Sequence, residues 1–251
     1  MMKILHLSDL HFHTNGKDNK KILKTLDNIK EKYTKHYLVV TGDIVDDGHQ
    51  KQFKNAYNAL KDFKGRIFIV PGNHDFGAAG NFYSTERAER FDEMLSQPLE
   101  QGGTFSFENH PVVNVVEDGG DQVMFIGLDS NLETISPFDF ACGEIGKFQR
   151  NSLSELLSNS TTSSMKKILF FHHHPFIRKD PFMEMKDSSK LARTIYGKVD
   201  AVMFGHKHEM NLFDNTWGIK FILASDNSPG KDKAGEITIK DGNMSFQYVQ
   251  I

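Results

Sequence analysis

The sequence predicts an α/β fold, because short apolar runs alternate with stretches whose apolar residues recur at helical spacing. Residues 4–7 form a predicted strand, and Ile22, Leu26 and Ile29 then mark the buried face of a helix. Residues 38–41 form the next predicted strand. Strand–helix–strand units of this kind pair their strands in parallel through right-handed crossovers.

The same order continues through a second unit. Phe53, Ala56 and Leu60 lie on one face of a predicted helix, and residues 67–70 form a third strand that Pro71 ends. A later helix is predicted where Phe148, Leu153, Leu156 and Leu157 recur. Apolar runs predict the remaining strands at residues 104–107, 112–116, 123–128, 168–171, 201–204, 221–224, 236–239 and 246–249.

The C-terminal part of the chain is predicted to be rich in strands, which are separated by glycine-containing turns and add to a second sheet. We find no internal repeat, low-complexity tract or linker in the 251 residues. A chain of this length suits one large domain or two small ones. We therefore expect a single domain over residues 1–251.

Composition and charge indicate a globular protein of a reducing compartment. The net charge of −3 speaks against a dedicated nucleic-acid binder, which usually carries a basic stripe. Cys142 is the only cysteine, so neither an intrachain disulfide nor a cluster of thiolate ligands can form. Residues 1–8 lack the features of a signal peptide, and no run approaches the roughly 20 apolar residues of a membrane span. We expect a cytoplasmic protein without a membrane partner.

Polar side chains follow five of the predicted strands at the point where each strand ends. In open α/β sheets, ligands bind outside the carboxyl ends of the strands. The side chains that could meet there are Asp9 and His11; Asp43 and Asp46; Asn73, His74 and Asp75; His172, His173 and His174; and His206 and His208.

Each of these motifs has an ordinary structural interpretation when taken alone. An aspartate after a strand is most often a turn former or a helix cap. The Asn73-His74-Asp75 run is about as often a plain turn as a site, and adjacent histidines occur on surfaces. His206 and His208 are more specific, because residues at i and i+2 of an extended segment point to the same side and can chelate one ion.

Taken together and in this order, the five motifs resemble the calcineurin-like metallophosphoesterase superfamily, over residues 4–208. The resemblance implies a four-layer α/β–β/α sandwich, in which two mixed β-sheets pack face to face and helices flank them. A looser match of residues 128–130 and 143–146 resembles the class III cyclic-nucleotide phosphodiesterase branch.

The resemblance also implies a role for each polar residue. Two metal ions would be bound, the first by Asp9, His11 and His208 and the second by Asn73, His172 and His206. Asp43 would bridge both ions, and Asp46 would support the ligands from behind. Pro175 aligns His172 with the family's ligand, and a shift of one residue would make His173 the ligand instead.

His74 and Asp75 are the residues that the resemblance assigns to catalysis. His74 would contact the substrate phosphate or the leaving group, and Asp75 would orient the His74 ring. Carboxylate, carboxamide and imidazole ligands without a thiolate suit Mn²⁺, Fe, Zn²⁺, Co²⁺ or Ni²⁺, and they do not choose among these metals. A hydroxide held between two such ions is available near neutral pH and would attack phosphorus in line.

The predicted function is therefore hydrolysis of a P–O bond in a small phosphorylated substrate, with phosphodiesters first. A phosphomonoesterase or nucleotide pyrophosphatase of the same fold is the alternative, and a metal-binding scaffold or interaction module is the non-enzymatic one. Every ligand position that the family uses is filled in this sequence, which argues against a non-catalytic scaffold. Residues 76–84, 131–146 and 176–186 are expected to set specificity, with Phe138, Phe140 and Arg178 as candidate contacts. An exposed β edge near the C-terminus could support a homodimer.

Overall fold

The computed structural model of the chain describes residues 1–106, 110–132, 141–180 and 182–251. Its strands are β1 (Met2–Leu7), β2 (Tyr37–Thr41), β3 (Ile67–Val70), β4 (Gly77–Ala78), β5 (Phe82–Tyr83), β6 (Val112–Asp118), β7 (Asp121–Gly127), β8 (Lys166–Phe170), β9 (Ala201–Phe204), β10 (Asn211–Leu212), β11 (Phe221–Ala224), β12 (Lys233–Lys240) and β13 (Asn243–Gln250). Its α-helices are α1 (Lys20–Lys32), α2 (Gln50–Leu60), α3 (Asn73–Phe76), α4 (Thr85–Phe91), α5 (Lys147–Ser158) and α6 (Ser188–Ile195). Within the described ranges, no helix has the length and apolar character needed to cross a bilayer.

The first sheet has five strands in the order β13-β12-β1-β2-β3. β1 pairs in parallel with β2, and β2 pairs in parallel with β3, as the alternation of strands and helices predicts. β12 is antiparallel to both β1 and β13, so the sheet is mixed. The carboxyl ends of β1, β2 and β3 consequently lie at the same edge.

The second sheet has six strands in the order β10-β11-β9-β8-β7-β6. Its four central strands, β11, β9, β8 and β7, are parallel to one another, and the two edge strands are antiparallel to their neighbours. The carboxyl ends of β8, β9 and β11 therefore also lie at one edge.

Alternating side chains of the second sheet divide the interior into two apolar cores. Phe125 and Phe170 face the first sheet, where they join a core that also contains residues of α1 and α2. Ile126 and Leu169, one position along each strand, pack instead with residues of α5 and α6. This separation follows from the two-residue period of a strand. The arrangement is the four-layer α/β–β/α sandwich of two mixed sheets that was predicted.

The prediction of a strand at residues 104–107 is wrong for residues 104–106, which the structure describes. The backbone N–H groups of Phe105 and Ser106 donate to the carboxylate of Asp92, at 2.9 and 2.8 Å, instead of joining a sheet. Phe107 lies outside the described residues. A side chain from a π-helical turn at Asp92–Ser96 thus satisfies the backbone groups that a neighbouring strand would otherwise pair.

A buried histidine on β1, which is not among the predicted ligands, predicts a pH dependence of the protein's stability. His6 on β1 is 1% exposed, and its Nε2 lies 3.0 Å from the hydroxyl of Thr41. Burial lowers the pKa of His6 from 6.5 to about 3. Between these two pH values the unfolded chain binds a proton that the folded protein excludes, so acidification lowers the free energy of unfolding.

We expect His6 to account for a loss on the order of 2 kcal/mol in the free energy of unfolding between pH 7 and pH 5. Urea unfolding of chelator-treated wild-type protein and of His6→Gln at both pH values measures this loss. The variant should be less sensitive to acid, because glutamine does not titrate. Equal losses in the two proteins would contradict the assignment.

Candidate metal centre

The predicted ligands converge where the carboxyl ends of the two sheets meet. Ligand atoms lie within 4.8 Å of one another in three groups: Asp9, His11 and His208; Asp9, Asp43 and His172; and His11, Asp43 and His74. Asp9 and Asp43 come from the first sheet, whereas His172 and His208 come from the second. Packing of the two sheets therefore assembles the site.

Most of the predicted ligands have an unusual backbone conformation. Non-glycine residues with positive φ are uncommon, and each costs on the order of 1–3 kcal/mol, so they persist where the surroundings determine them. Five of the seven predicted ligands have positive φ: Asp9 (56°), His11 (46°), Asp43 (48°), His206 (77°) and His208 (52°). Such clustering is typical of functional sites.

Two glycines of the motifs are required because other groups approach them closely. A Cβ on Gly72 would lie 2.2 Å from Asp43 Oδ1, and a Cβ on Gly205 would lie 1.8 Å from Ser8 Oγ and 2.7 Å from Asp9 Oδ2. Neither position has room for a side chain. Gly72 therefore lets the loops after β2 and β3 of the first sheet come together, and Gly205 lets the loop after β9 of the second sheet approach the loop after β1.

The half of the site around His172 is tightly packed. His172 Nε2 lies 3.0 Å from Asn73 Oδ1, 3.3 Å from Asp43 Oδ2 and 3.2 Å from His206 Nδ1. His172 Nδ1 lies 2.8 Å from the carbonyl oxygen of Thr41. Because a carbonyl only accepts, Nδ1 carries a hydrogen, which leaves Nε2 as the nitrogen that can bind an ion in exchange for its proton. Loss of that proton gives the tautomer that a metal ligand needs.

The other half of the site is formed by Asp9, His11 and His208. His208 Nε2 lies 3.7 Å from Asp9 Oδ1, and the His11 and His208 rings are 5.3 Å apart. His11 Nε2 lies 3.9 Å from Asp43 Oδ2, the same oxygen that faces His172. Asp43 thus stands between the two halves.

Several polar atoms of the site suit a metal ion. Among the described residues, Asp9 Oδ2 and His11 Nε2 are buried and have no hydrogen-bond partner, which is costly unless an ion or water satisfies them. Asn73 Nδ2 donates to the carbonyl of Gly80 at 2.9 Å, which turns Asn73 Oδ1 toward His172. The site therefore gathers oxygen and nitrogen acceptors, and this donor set fits divalent transition metals.

The carboxylates create a negative field at the site. Burial acts to lower the pKa of His172, but Asp43 and Asp9 raise it to about 9. For the Asp9 carboxyl, burial has the opposite effect and raises the pKa to about 7. His172 opposes this shift, and Asp43 adds to it. A field that favours a proton on buried imidazole equally favours a metal cation.

His74 lies beside these groups and contacts Asp43. Its backbone N–H donates to Asp43 Oδ1 at 2.9 Å, and its ring centre is 4.8 Å from that of His11. Its Nδ1 donates to the carbonyl of Asp46 at 2.8 Å, because a carbonyl only accepts. This hydrogen bond uses only Nδ1 of the two ring nitrogens of His74.

The expected contact between Asp75 and the His74 ring is not formed, and this part of the prediction is corrected. The Asp75 carboxylate accepts from the N–H groups of Gly72, Val45 and Ile44, at 2.8, 2.8 and 3.2 Å. Asn73 begins α3, and consecutive residues of a helix do not face each other. Asp75 therefore joins the loops after β2 and β3, while the carbonyl of Asp46 holds His74.

The two adjacent histidines after β8 have different surroundings. His172 faces Asp43 and Asn73, whereas His173 is buried with its Nδ1 2.8 Å from the hydroxyl of Ser130. The structure thus places His172, rather than the alternative His173, against Asp43 and Asn73, while the ring of His173 packs 4.6 Å from that of His206. The Asp46 carboxylate lies 3.5 Å from Nδ1 of the predicted ligand His11.

The loops that were expected to set specificity are described in part. Residues 77–83 form the β4–β5 hairpin, and its Gly80 lies against Asn73 and His74. Arg178 donates to the carbonyl of Pro175 and to the hydroxyl of Ser188, the first residue of α6, so these groups hold it against the start of that helix. Phe138 and Phe140 lie outside the described residues.

Two residues outside the five predicted motifs support the site: Ser228 contacts His208, and Asp226 contacts Ser228. Ser228 Oγ lies 2.8 Å from His208 Nδ1 and 2.6 Å from Asp226 Oδ1. A signal was present, because the polar run 225–228 follows the apolar strand β11 in the same way that the five other polar runs follow theirs.

Two ligand clusters that share a carboxylate at the edge of two packed sheets define the class of dinuclear metallohydrolases. The family model for calcineurin-like phosphoesterases matches residues 2–210 of the chain. The protein belongs to this family of dimetal phosphoesterases, as the motifs predicted.

Its curated relatives include a probable glycerophosphodiester phosphodiesterase from Arcobacter nitrofigilis, 28% identical over 142 residues. A probable cyclic nucleotide phosphodiesterase from Coxiella burnetii is 29% identical over 79 residues.

These alignments cover 53% and 30% of the chain, and they span 45% and 32% of the two relatives. Similar solved structures show the shared fold. A dimetal phosphatase from Danio rerio has a TM-score of 0.70 at 14% identity and covers 98% of this chain and 95% of its own. Plasmodium GAP50, the anchor in the inner membrane complex, has a TM-score of 0.63 at 14% identity, with 99% and 84% covered.

Proposed function

We propose that the protein is a dinuclear-metal-dependent phosphodiesterase that hydrolyses a P–O bond of a small phosphodiester. The observation that supports this most directly is the position of one oxygen, Asp43 Oδ2. It lies 3.3 Å from His172 Nε2 in one ligand cluster and 3.9 Å from His11 Nε2 in the other. A carboxylate in that position can bridge two cations.

The proposed ligands divide into two sets that share Asp43. Asp9, His11 and His208 would hold the first ion, and Asn73, His172 and His206 would hold the second. When bound, two such ions supply an activated water and neutralise charge on the phosphoryl oxygens. The mixture of oxygen and nitrogen donors favours manganese, iron, zinc, cobalt or nickel.

His74 is proposed to act on the substrate rather than on a metal. The carbonyl of Asp46 accepts from Nδ1 and sets the orientation of the ring, so Nε2 can meet a phosphoryl oxygen or the leaving oxygen. A protonated ring can give its Nε2 proton to the departing alkoxide. Asp75 contributes by holding together the loops that carry Asp43 and Asn73.

We also propose that residues 1–251 act as one catalytic domain. The family match ends at residue 210, but β11 lies inside the second sheet, and β12 pairs with β1 in the first. β1 leads directly to Asp9. The strands that follow the matched region therefore complete both sheets that present the ligands.

The names of the two curated relatives support a phosphodiester as the substrate, since one is named for glycerophosphodiesters and the other for cyclic nucleotides. Both compounds are small and carry a singly charged phosphodiester. This shared chemistry defines the proposed substrate class.

The direct test is release of p-nitrophenol from bis-p-nitrophenyl phosphate by chelator-stripped protein, with and without Mn²⁺. We expect release only with metal, and we expect p-nitrophenyl phosphate, a monoester, to react more slowly. Mn²⁺ without protein is the blank. Cyclic nucleotides and glycerophosphodiesters are then tested in turn.

Absence of diester hydrolysis with Mn²⁺, Fe²⁺, Zn²⁺, Co²⁺ and Ni²⁺ would overturn the proposed phosphodiesterase. Cleavage of the monoester alone would identify a phosphomonoesterase of the same fold instead.

A further inference from the structure

The turn at residues 225–228, which follows β11, lies beyond the stretch matched by the family and touches the site from behind. Ser8 N–H donates to Asn227 Oδ1 at 3.1 Å, and Asn227 N–H donates back to the Ser8 carbonyl at 2.9 Å. Ser225 Oγ donates to the carbonyl of His6 at 3.0 Å. The turn is thus fastened to the end of β1, immediately before Asp9.

The same turn reaches His208 through a chain of two hydrogen bonds. Ser228 Oγ lies 2.6 Å from Asp226 Oδ1 and 2.8 Å from His208 Nδ1. Asp226 and Ser228 are only 2% and 8% exposed, so few waters compete for these bonds. Lys231 forms an ion pair with Asp226 Oδ2.

The direction of each hydrogen bond follows from the chemistry of the groups. Burial acts to raise the pKa of Asp226, but Lys231 and Ser228 hold it below its ordinary value, so Asp226 is a carboxylate that only accepts. Ser228 must therefore donate its single hydroxyl hydrogen to Asp226. Its oxygen then accepts from His208 Nδ1, which leaves the lone pair of His208 on Nε2, the nitrogen 3.7 Å from Asp9 Oδ1.

We propose that Asp226 and Ser228 are positioning residues for the first metal ion, which hold His208 in its ligating tautomer and orientation. The proposal rests on the dinuclear centre proposed above. His172, a ligand of the second ion, is held instead by the backbone carbonyl of Thr41. Because the two histidines are oriented by different groups, removal of the Ser228 hydroxyl should weaken one metal site and spare the other.

The test is calorimetric titration of chelator-stripped protein with Mn²⁺, comparing wild type with Ser228→Ala. We expect wild type to bind two ions and Ser228→Ala to bind one of them about 10–100-fold more weakly, the range typical for loss of a group that orients a ligand. Ser228→Thr keeps the hydroxyl and should restore most of the affinity. Ser225→Ala is the matched control, because it removes a buried serine hydroxyl of the same turn that contacts β1 instead of His208.

A second readout uses the wild-type protein alone and does not depend on the folding of a variant. Long-range ¹H–¹⁵N spectra of histidine-labelled, chelator-stripped protein should show His208 with its hydrogen on Nδ1, assigned from the signal missing in His208→Gln. Hydrogen on Nε2 would overturn the proposal.

The outcomes of the titration are distinct. Wild type that binds fewer than two ions would remove the dinuclear centre, and the positioning role with it. If wild type binds two ions, then equal affinities in Ser228→Ala, or an equal loss at both sites and in Ser225→Ala, would overturn the positioning role alone.

Discussion

Asp43→Asn is expected to lose bound metal and to reduce diester hydrolysis by at least about 1,000-fold, since two-metal charge stabilisation contributes several kcal/mol to a phosphoryl-transfer transition state. Asp43 is 1% exposed and lies between His11 and His172. Asparagine removes the negative charge that would attract both cations. It also places an NH₂ group or a neutral oxygen where a shared carboxylate oxygen is required.

Metal content after dialysis against Mn²⁺, measured by mass spectrometry together with turnover, tests this expectation. Asp62→Asn is the matched control, because it makes the same chemical change at an exposed carboxylate that pairs with Lys30. Its metal content and turnover should equal those of wild type. An Asp43→Asn protein that retained two ions per chain would contradict the bridging role.

His74→Ala is expected to keep both metals and to lose about 100–10,000-fold in turnover, the usual contribution of a positioned proton donor. The histidine is close enough to His11 and Asp43 to be considered as a ligand. The Asp46 carbonyl occupies only its Nδ1, as the Thr41 carbonyl does in His172, so this bond does not separate the two roles. What speaks against a ligand role is that the site already contains seven proposed ligands without His74. Normal metal content with lost turnover would separate the catalytic role from a ligand role.

Substrates with different leaving groups provide a second test of the role of His74. An alkoxide needs a proton more than p-nitrophenolate does, so the loss in His74→Ala should be larger for an alkyl phosphodiester than for bis-p-nitrophenyl phosphate. His110→Ala, at an exposed histidine next to Phe148, is the control and should keep full turnover. Unchanged turnover in His74→Ala would remove this residue from the mechanism, and a lost metal ion would make it a ligand.

The first three strands and the loops after them could be predicted because their signals are local. An apolar run that ends in Asp, Asn or His reports a strand and the polar side chains at its end, and parallel pairing then places those ends together. Asp9, Asp43 and His172 are buried together at such ends in the structure. Sequence also indicated the chemistry of the donor set, because it depends on residue type alone.

Contacts that depend on local geometry could not be read in the same way. The link between Asp75 and His74 was expected because the residues are adjacent, but the helical turn from Asn73 points their side chains in different directions. Residues 104–107 were predicted to form a strand, yet the Asp92 carboxylate accepts from the N–H groups of Phe105 and Ser106. In both places, the partner of a polar group was decided by backbone direction rather than by composition.

By itself, the sequence determined the class of fold, the order of the strands that carry the site and the types of its donor groups. Only the tertiary structure decided which of His172 and His173 faces Asp43, and which groups hold His74 and His208. The physical reason is that strand and helix periods are properties of neighbouring residues. The orientation of an imidazole is determined by its hydrogen-bond partners. The partner of His208 is Ser228, which is 20 residues away in the chain and becomes adjacent only when β11 pairs with β9.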